Sequence, residues 1–337
     1  MSRRHLIELE RFGGPEVMRW AEAEAPEPGP DQVAVAVEAL GVNFADTMVR
    51  RGEYRRDQPL DFTPGFEVVG KVVSSPAGGP EPGTRVVVLC DNGRGYTDLL
   101  IAPAERAFEL PDDVPANLAA ALFVQGTTAW YALHRFGYLG AGETVLVHAG
   151  AGGVGSMAIQ LTVAAGATAI ATASSEAKLE IARGHGAAHA FLADPETLRD
   201  QVRAATGGKG VDVVVDGVSG SLVAPSLAAL GFHGRYVVAG AASQEAGMID
   251  TRALMPRNQS IAGFVTARII ERDPAEPRRA IDAVFEAWRR GELRPTMTTM
   301  APSEVAVAHE LMESREHVGK IVLDVAANPI GSGEGSG

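Results

Sequence analysis

One cysteine, Cys90, is all the chain has, and that scarcity removes two architectures. A lone thiol closes no intramolecular disulfide framework and builds no cysteine-rich zinc lobe; it suits a reducing compartment. Nothing basic stands beside it in sequence, so it reads as a small buried hydrophobe and not as an activated thiolate. Positive charge is also short. Thirty Lys and Arg stand against 42 Asp and Glu, a formal charge of −12, which argues against a nucleic-acid surface, and no basic cluster offsets it. No apolar run reaches the roughly 18 residues of a spanning helix, and the opening MSRRHLIELE lacks the apolar core of a secretion signal. The expectation is a cytoplasmic protein with neither a membrane nor a nucleic-acid partner. Eight histidines are scattered with no pair at helical ligand spacing, and they read as solvated or hydrogen-bonded core residues. There is no internal repeat.

What the chain does have is enough material for two domains, the default at 337 residues with 46% of them hydrophobic. Residues 143–165, ETVLVHAGAGGVGSMAIQLTVAA, are the most informative. The apolar run Thr144–Val147 reads as a buried parallel strand. Gly150, Gly152 and Gly155 then complete a GxGxxG spacing, with Gly153 and Val154 inside it, directly before a helical pattern. The first glycine permits the tight turn, the second lets backbone N–H groups approach a pyrophosphate, and the third lets helix and strand pack closely. The helix N-terminus faces the phosphate charge. In a chain with 39 glycines the spacing alone would be an ordinary turn; strand before and helix after make it a nicotinamide dinucleotide turn. Strand signals at Thr168–Ala173, Val211–Val215 and Arg235–Gly240 alternate with helical patterns at Ala177–Arg183, Glu196–Ala205 and Leu222–Leu230. The alternation implies an α/β fold, with βαβ units in a doubly wound parallel sheet.

This nucleotide unit lies mid-chain, so other structure must flank it. Residues 1–110 carry short β patterns broken by Pro and Gly, at Gln32–Ala39, Phe66–Val73, Thr84–Leu89 and Tyr96–Ile101, and read as a mostly antiparallel or barrel-like sheet. After Gly263 come an amphipathic helix at Arg278–Arg290, a helical pattern near Val305–Met312 and a strand at Lys320–Val325. The expected division is a catalytic domain over 1–126, a nucleotide domain over 127–262, a return to the catalytic domain over 263–327, and a disordered tail at 328–337, NPIGSGEGSG, with no apolar face to bury.

Five motifs in order, GVNFADTMVRRGEY (41–54), TPGFEVVGKV (63–72), VQGTTAWYAL (124–133), VLVHAGAGGVG (145–155) and VGKIVL (318–323), resemble the medium-chain dehydrogenase/reductase superfamily over nearly the full length, and within it the zinc-free, zeta-crystallin-like quinone oxidoreductases. The resemblance implies a GroES-like β-rich catalytic domain formed by both chain ends, a central Rossmann domain, a cleft between them, and reduction of a carbon–oxygen or carbon–carbon double bond by NAD(P)H. It also implies a homodimer. Zinc members place a cysteine where this chain has Asn43 and a His–Glu pair where it has Phe66–Glu67. Neither a carboxamide nor a phenyl ring replaces a thiolate or an imidazole on zinc, so no metal is expected. The carbonyl must then be polarised by hydrogen bonds, which suits quinones and enones because hydride addition gives a stabilised phenolate or enolate.

The resemblance places Asn43, Asp46 and Tyr54 along the cleft. Tyr54 is the candidate donor to the developing oxyanion, since a phenol stays protonated at neutral pH; Asn43 is an uncharged donor; Asp46, read as an exposed and therefore ionised carboxyl, orients backbone or ribose groups. All three also suit turns and caps. The second Rossmann strand ends in Thr172–Ala173–Ser174–Ser175 with no acid at the strand end, where an NAD site usually has one. Glu176 lies past the strand, where a first-turn acid favours the helix dipole regardless of cofactor. Lys178 and Arg315 match cations that meet the 2′-phosphate in similar NADPH-using reductases, and a cationic pair suits a dianion; the tyrosine that such proteins place after the next strand is Ala193 here. NADPH is expected over NADH. Thr127 and Thr128 near the nicotinamide, and Gly240 and Ala241 after the RYVVAG strand, complete the implied contacts, although Thr128 also suits the cap of a helix starting at Ala129 and Gly240 a strand end. Two other readings stand beside a quinone or enone reductase: an enoyl reductase on thioesters of polyketide or fatty-acid assembly, and a binding protein that keeps NADPH without turnover.

Overall fold

The computed structural model describes residues 3–90, 93–273 and 275–330. They form two compact units, Gln125–Pro295 and a second made of both chain ends, up to Val124 and from Thr296.

In the central unit six parallel strands, β1 (Thr144–Val147), β2 (Thr168–Ala173), β3 (His189–Leu192), β4 (Val211–Asp216), β5 (Leu230–Val238) and β6 (Ser260–Gly263), lie in the order β3-β2-β1-β4-β5-β6. Helices α1 (Gly153–Ala164), α2 (Glu176–Gly184), α3 (Leu198–Ala205) and α4 (Val223–Ala229) connect them. Strands covered on both faces must be apolar throughout rather than alternating, and Val145, Leu146 and Val147 are accordingly fully buried. Leu146, Ile170, Val202, Val214, Leu227 and Tyr236 meet in one core. The order reverses between β1 and β4, and in a doubly wound sheet that reversal places the ligand crevice at the carboxyl ends of those strands. This is a Rossmann sheet, as expected from the alternation of patterns. Two of its strands, β3 and β6, four residues each, were not foreseen.

The unit built from the chain ends is β-rich. Gln32–Val42 is its spine and pairs antiparallel with Glu67–Ser74, Leu99–Pro103 and the C-terminal Lys320–Asp324, with Leu323 opposite Leu40. Arg85–Leu89, Ala107–Glu109 and Met297–Met300 complete a seven-stranded sheet, and Arg3–Leu9 forms a separate hairpin with Met18–Glu24. The GVNFADTMVRRGEY motif folds as a helix, Phe44–Arg51, with Gly52 closing it at a left-handed φ of 75°.

Two boundaries differ from the expected division. Residues 263–295 group with the central unit instead of returning to the first, because helix Glu276–Arg289 turns Ala280, Ile281, Val284, Phe285 and Ala287 inward, and Val284 seats against Gly126, where a Cβ would stand 2.7 Å from it. Residues 331–337 of the expected tail lie outside the described residues, but Ile330 is buried in the core of the first unit, so the packed chain runs past Asn328.

At the carboxyl end of β4, Asp216 is fully buried and accepts from Val218 N at 2.7 Å, Ser219 N at 2.9 Å and Tyr236 Oη at 2.5 Å. This carboxylate holds Ser219 in a conformation (φ 67°, ψ −153°) that glycine alone adopts easily. Tyr236→Phe removes one donor from a buried charge without changing shape. Urea denaturation is expected to show a loss of about 1.5–3 kcal/mol, and Asp216→Ala a larger one.

Candidate active site

Between β1 and α1 the backbone does what a bulkier sequence could not. Ala149 sits at a left-handed φ of 53°, Gly150 N bonds Thr172 O at 2.8 Å, tying the turn to β2, and Gly152 caps the helix with extended backbone and no side chain. A Cβ on Gly150 would stand 2.9 Å from the Ala171 methyl, and one on Gly155 would overlap the Ala149 carbonyl. These two glycines are required by packing. Gly152 meets only Ala149 O, at 3.2 Å, and so leaves its face open. The N–H groups of Gly153, Val154 and Gly155 are first-turn donors with no acceptor inside the helix, and the helix dipole adds positive charge there. An open, Cβ-free cradle under such donors fits a pyrophosphate. Gln125 lies against it: a Cβ on Gly153 would overlap the Gln125 carboxamide.

Around the turn the framework is polar but satisfied. His148, 2% exposed, bridges Thr172 Oγ1 and Ser226 Oγ, each at 2.8 Å, and burial pushes its pKa down against the opposing pull of Asp216. It reads as a neutral core residue. Beyond β2, Ser174 is exposed, Ser175 caps α2, and Lys178 is half-buried on the first turns of that helix. The Glu176 carboxylate accepts from Arg183 at 3.1 Å on its own helix. Ala193, after β3, offers only a methyl group. Gly240 and Ala241 follow β5, stitched to the β4 loop by Ala239 N to Asp216 O at 2.7 Å and Ala242 N to Gly217 O at 3.0 Å. Thr127 and Thr128 are buried within the helix Ala116–Trp130, so no helix starts at Ala129 and the capping role for Thr128 is overturned.

In the first unit the GVNFAD turn is held by charge. Asn43 caps helix Phe44–Arg51, and Asp46 closes the capping box by accepting from Asn43 N at 2.8 Å while its other oxygen accepts from Gly65 N at 2.7 Å. Asp46 is fully buried, not exposed as the sequence suggested, and burial pushes its pKa up to about 7 against its two N–H donors and Lys320. The Asn43 amide donates to Glu67 Oε1 at 2.9 Å and to Gly41 O at 3.4 Å, and its oxygen accepts from Lys320 Nζ at 2.8 Å. Lys320 also pairs with Glu67, both side chains being fully buried, and Glu67 Oε2 accepts from Val124 N at 3.0 Å. Asn43 thus spends its amide on the protein. Tyr54 is half-buried, its ring 4.9 Å from Phe66 and 6.1 Å from Phe62, with the Arg55 guanidinium 4.1 Å over Phe62. Arg315 is exposed on this unit, closing helix Val305–Ser314 at a left-handed φ of 58°.

This donor set does not fit zinc. A carboxamide, a phenyl ring and a carboxylate already bonded to an ammonium offer no ligand set for it, and among the described residues no group of three His, Cys, Asp or Glu converges. Lys320 went unnoticed in sequence; its signal was a lysine inside an otherwise apolar strand motif. Another buried histidine, His309, bonds Tyr96 Oη at 3.1 Å, and burial with Arg50 pushes its pKa down to about 3.

Comparison with known proteins comes to the same architecture. Residues 29–112 match the alcohol dehydrogenase GroES-like domain and residues 153–286 the zinc-binding dehydrogenase domain. The quinone oxidoreductase of Lama guanicoe is 32% identical over 322 residues, covering 94% of this chain and 96% of that protein. The phthioceranic/hydroxyphthioceranic acid synthase of Mycobacterium tuberculosis is 33% identical over 95% of this chain, which spans 15% of that synthase's length. Among solved structures, Escherichia coli quinone oxidoreductase complexed with NADPH superposes with a TM-score of 0.88 at 28% identity, over 95% of this chain and 99% of that one. The CurK enoyl reductase does so with a TM-score of 0.85 at 26% identity and the same coverage.

Three substitutions test the buried charges. Lys320→Met leaves Glu67 unpaired and is expected to cost about 3–5 kcal/mol, most of it recovered when Glu67→Gln is added; chemical denaturation of the single and double variants checks this. Asp46 binds its proton up to about pH 7 when folded but only to about 3.9 when unfolded. Its contribution to stability is therefore fully present below about pH 4 and lost as pH rises toward 7, by up to ~4 kcal/mol. Stability measured from pH 4 to 8 is expected to fall more steeply in the parent than in Asp46→Asn; equal slopes would contradict the assignment.

Proposed function

The chain belongs to the quinone oxidoreductase family of the medium-chain dehydrogenase/reductase superfamily, and from that premise we propose that it is a zinc-independent, NADPH-dependent reductase of quinones or α,β-unsaturated carbonyls. The observation that carries the reading is the glycine turn with its open first-turn donors, followed at the end of β2 by Ser174 and Lys178 instead of an available acid. A lysine there complements a 2′-phosphate, which NADH lacks. Relatives of this fold have been solved with NADPH bound, in support.

NADPH, when bound, supplies the hydride. The chain's part is to orient it and to meet the charge that develops on the acceptor oxygen. Gly153, Val154 and Gly155 present backbone N–H groups to the pyrophosphate, Thr127, Thr128, Gly240 and Ala241 line its path, and Lys178 meets the adenosine end, with Arg315 proposed for the same phosphate on resemblance alone. Tyr54, braced between Phe62 and Phe66, is the proposed hydrogen-bond donor to the oxyanion. Asn43 and Asp46 are proposed to hold the turn that leads to it. A phenol is a weaker electrophile than a metal, so the acceptor must give a stabilised anion, as quinones and enones do.

A second reading is favoured by the match to mycobacterial synthases and to CurK: reduction of an enoyl thioester on a carrier protein. The chemistry is the same and only the acceptor differs. We also propose a homodimer, supported by β6 being an outer strand beside Val265, 52% exposed, with Met255 69% exposed, since open edges invite pairing. No described helix is long and apolar enough to cross a membrane.

Absorbance-monitored oxidation of NADPH and NADH against a quinone, an enone and an enoyl thioester, with and without a chelator, tests all of this. Chelator-insensitive turnover preferring NADPH is expected. Activity lost on chelation would refute zinc independence, and binding without turnover on any acceptor would favour a non-enzymatic role. Lys178→Ala is expected to raise KM for NADPH roughly tenfold or more and leave that for NADH unchanged.

A further inference from the structure

Gln125 is the first residue of the central unit and lies in the helix Ala116–Trp130, 7% exposed. Its carboxamide rests face-down on the glycine turn, so that a Cβ on Gly153 would overlap Cδ, Oε1 and Nε2 alike. A Cβ on Gly153 would thus force this side chain to move, whereas Gly150 and Gly155 are required by strand and turn packing. The carboxamide oxygen is buried and has no hydrogen-bond partner. In the same unit the Gln201 side-chain oxygen is likewise buried without a partner, while Gln160 donates to Ser156 O at 3.1 Å and accepts from Arg294 N at 2.7 Å. Buried polar atoms left unpaired in a native protein call for an explanation, and this one lies on the first residue of the helix that presents N–H donors to the cofactor.

We propose that Gln125 is a cofactor-binding residue whose Oε1 accepts a hydrogen bond from a ribose hydroxyl beside the pyrophosphate. The assignment rests on the reading of the turn as an NADPH site. Phosphate oxygens only accept, and the N–H groups of Gly153, Val154 and Gly155 serve them; the donors that a dinucleotide carries next to its pyrophosphate are the ribose hydroxyls. Gln125 thus divides the labour of the turn, with backbone donors taking the charge and one side-chain acceptor taking the sugar. An acceptor that stays unsatisfied until the ligand arrives also favours the ligand with hydroxyl groups over a bare phosphate, because a site built around a polar partner rejects analogues that lack it.

The test uses the full chain. Gln125→Met keeps length and shape but removes the acceptor. Fluorescence titration is expected to show NADPH binding weakened roughly three- to tenfold, while the melting temperature of the cofactor-free protein is unchanged or higher, because an unpaired buried oxygen has gone. A purely structural glutamine would show the reverse pattern, a lower melting temperature with unchanged affinity, and that result overturns the proposal. A double-mutant cycle of Gln125→Ala and Gly153→Ala is the second arm. The Gly153→Ala methyl displaces the carboxamide, so the two losses of affinity are expected to overlap; fully additive losses would count against it. Titration with 2′,5′-ADP tells which ribose is met, since a contact to the adenosine ribose weakens both ligands and one to the nicotinamide ribose weakens NADPH alone. Should the parent protein fail to bind NADPH, the functional reading falls; should it bind with Gln125→Met unaffected, only this assignment does.

Discussion

The first unit is organised around one ion pair that water never reaches. Lys320 and Glu67 are both fully buried, and taking two such charges out of solvent is costly unless every remaining valence is met. Here they are. Glu67 accepts from Asn43 and from Val124 N as well as from Lys320, and Lys320 also bonds the Asn43 oxygen. The requirement reaches into the backbone: a Cβ on Gly41 would overlap the Glu67 carboxylate, so the spine strand must thin to glycine where the pair crosses it. Because Lys320 comes from the C-terminal strand and Glu67 from Glu67–Ser74 on the other side of Gln32–Val42, the pair also ties the two chain ends together across the sheet. A well-packed apolar substitute for such a pair is often no less stable, so its retention points to what it orients, namely the Asn43 cap and the helix that leads to Tyr54.

The central unit solves a different problem with almost no side chains. To bring backbone N–H groups against a polyanion, the turn after β1 uses glycine where a Cβ would stand in the way, and the Thr172 and Ser226 hydroxyls are paired internally with His148. Rigidity comes from the far side of the sheet reversal, where buried Asp216 fixes the neighbouring β4 loop and, through it, Gly240 and Ala241. Charge is stored where it holds the frame, and the binding face is left to dipoles.

Much of this could be read from the residues, for identifiable reasons. The doubly wound sheet followed from continuous apolar strands alternating with helices, and the glycine turn from spacing with its context; the outer strands β3 and β6 escaped because four residues are too few to set a strand period apart. Zinc was argued away from Asn43 and Phe66, but what balances Glu67 instead was invisible, since Lys320 is 253 residues distant. Asp46 was misjudged as exposed for the same reason: burial is a property of the neighbours that a carboxyl acquires, Gly65 and Tyr96 among them, and not of its local sequence. Gln125 gave no signal at all, as a glutamine in an apolar helix means nothing until Gly153 is found beneath it.

These constraints bear on the acceptor. With Asn43 committed to Glu67 and Gly41, and the Lys320 ammonium bonded to a carboxylate and a carboxamide, both are engaged within the protein. On the proposed function the donor to the oxyanion is the Tyr54 phenol, packed against two phenyl rings. A single neutral donor cannot stabilise a localised alkoxide as well as a Lewis acid does, so the acceptor must spread its own charge, and conjugation to a ring or a second carbonyl does that. On the proposed reading this weighs toward conjugated acceptors, whether quinones, enones or enoyl thioesters, and against simple aldehydes.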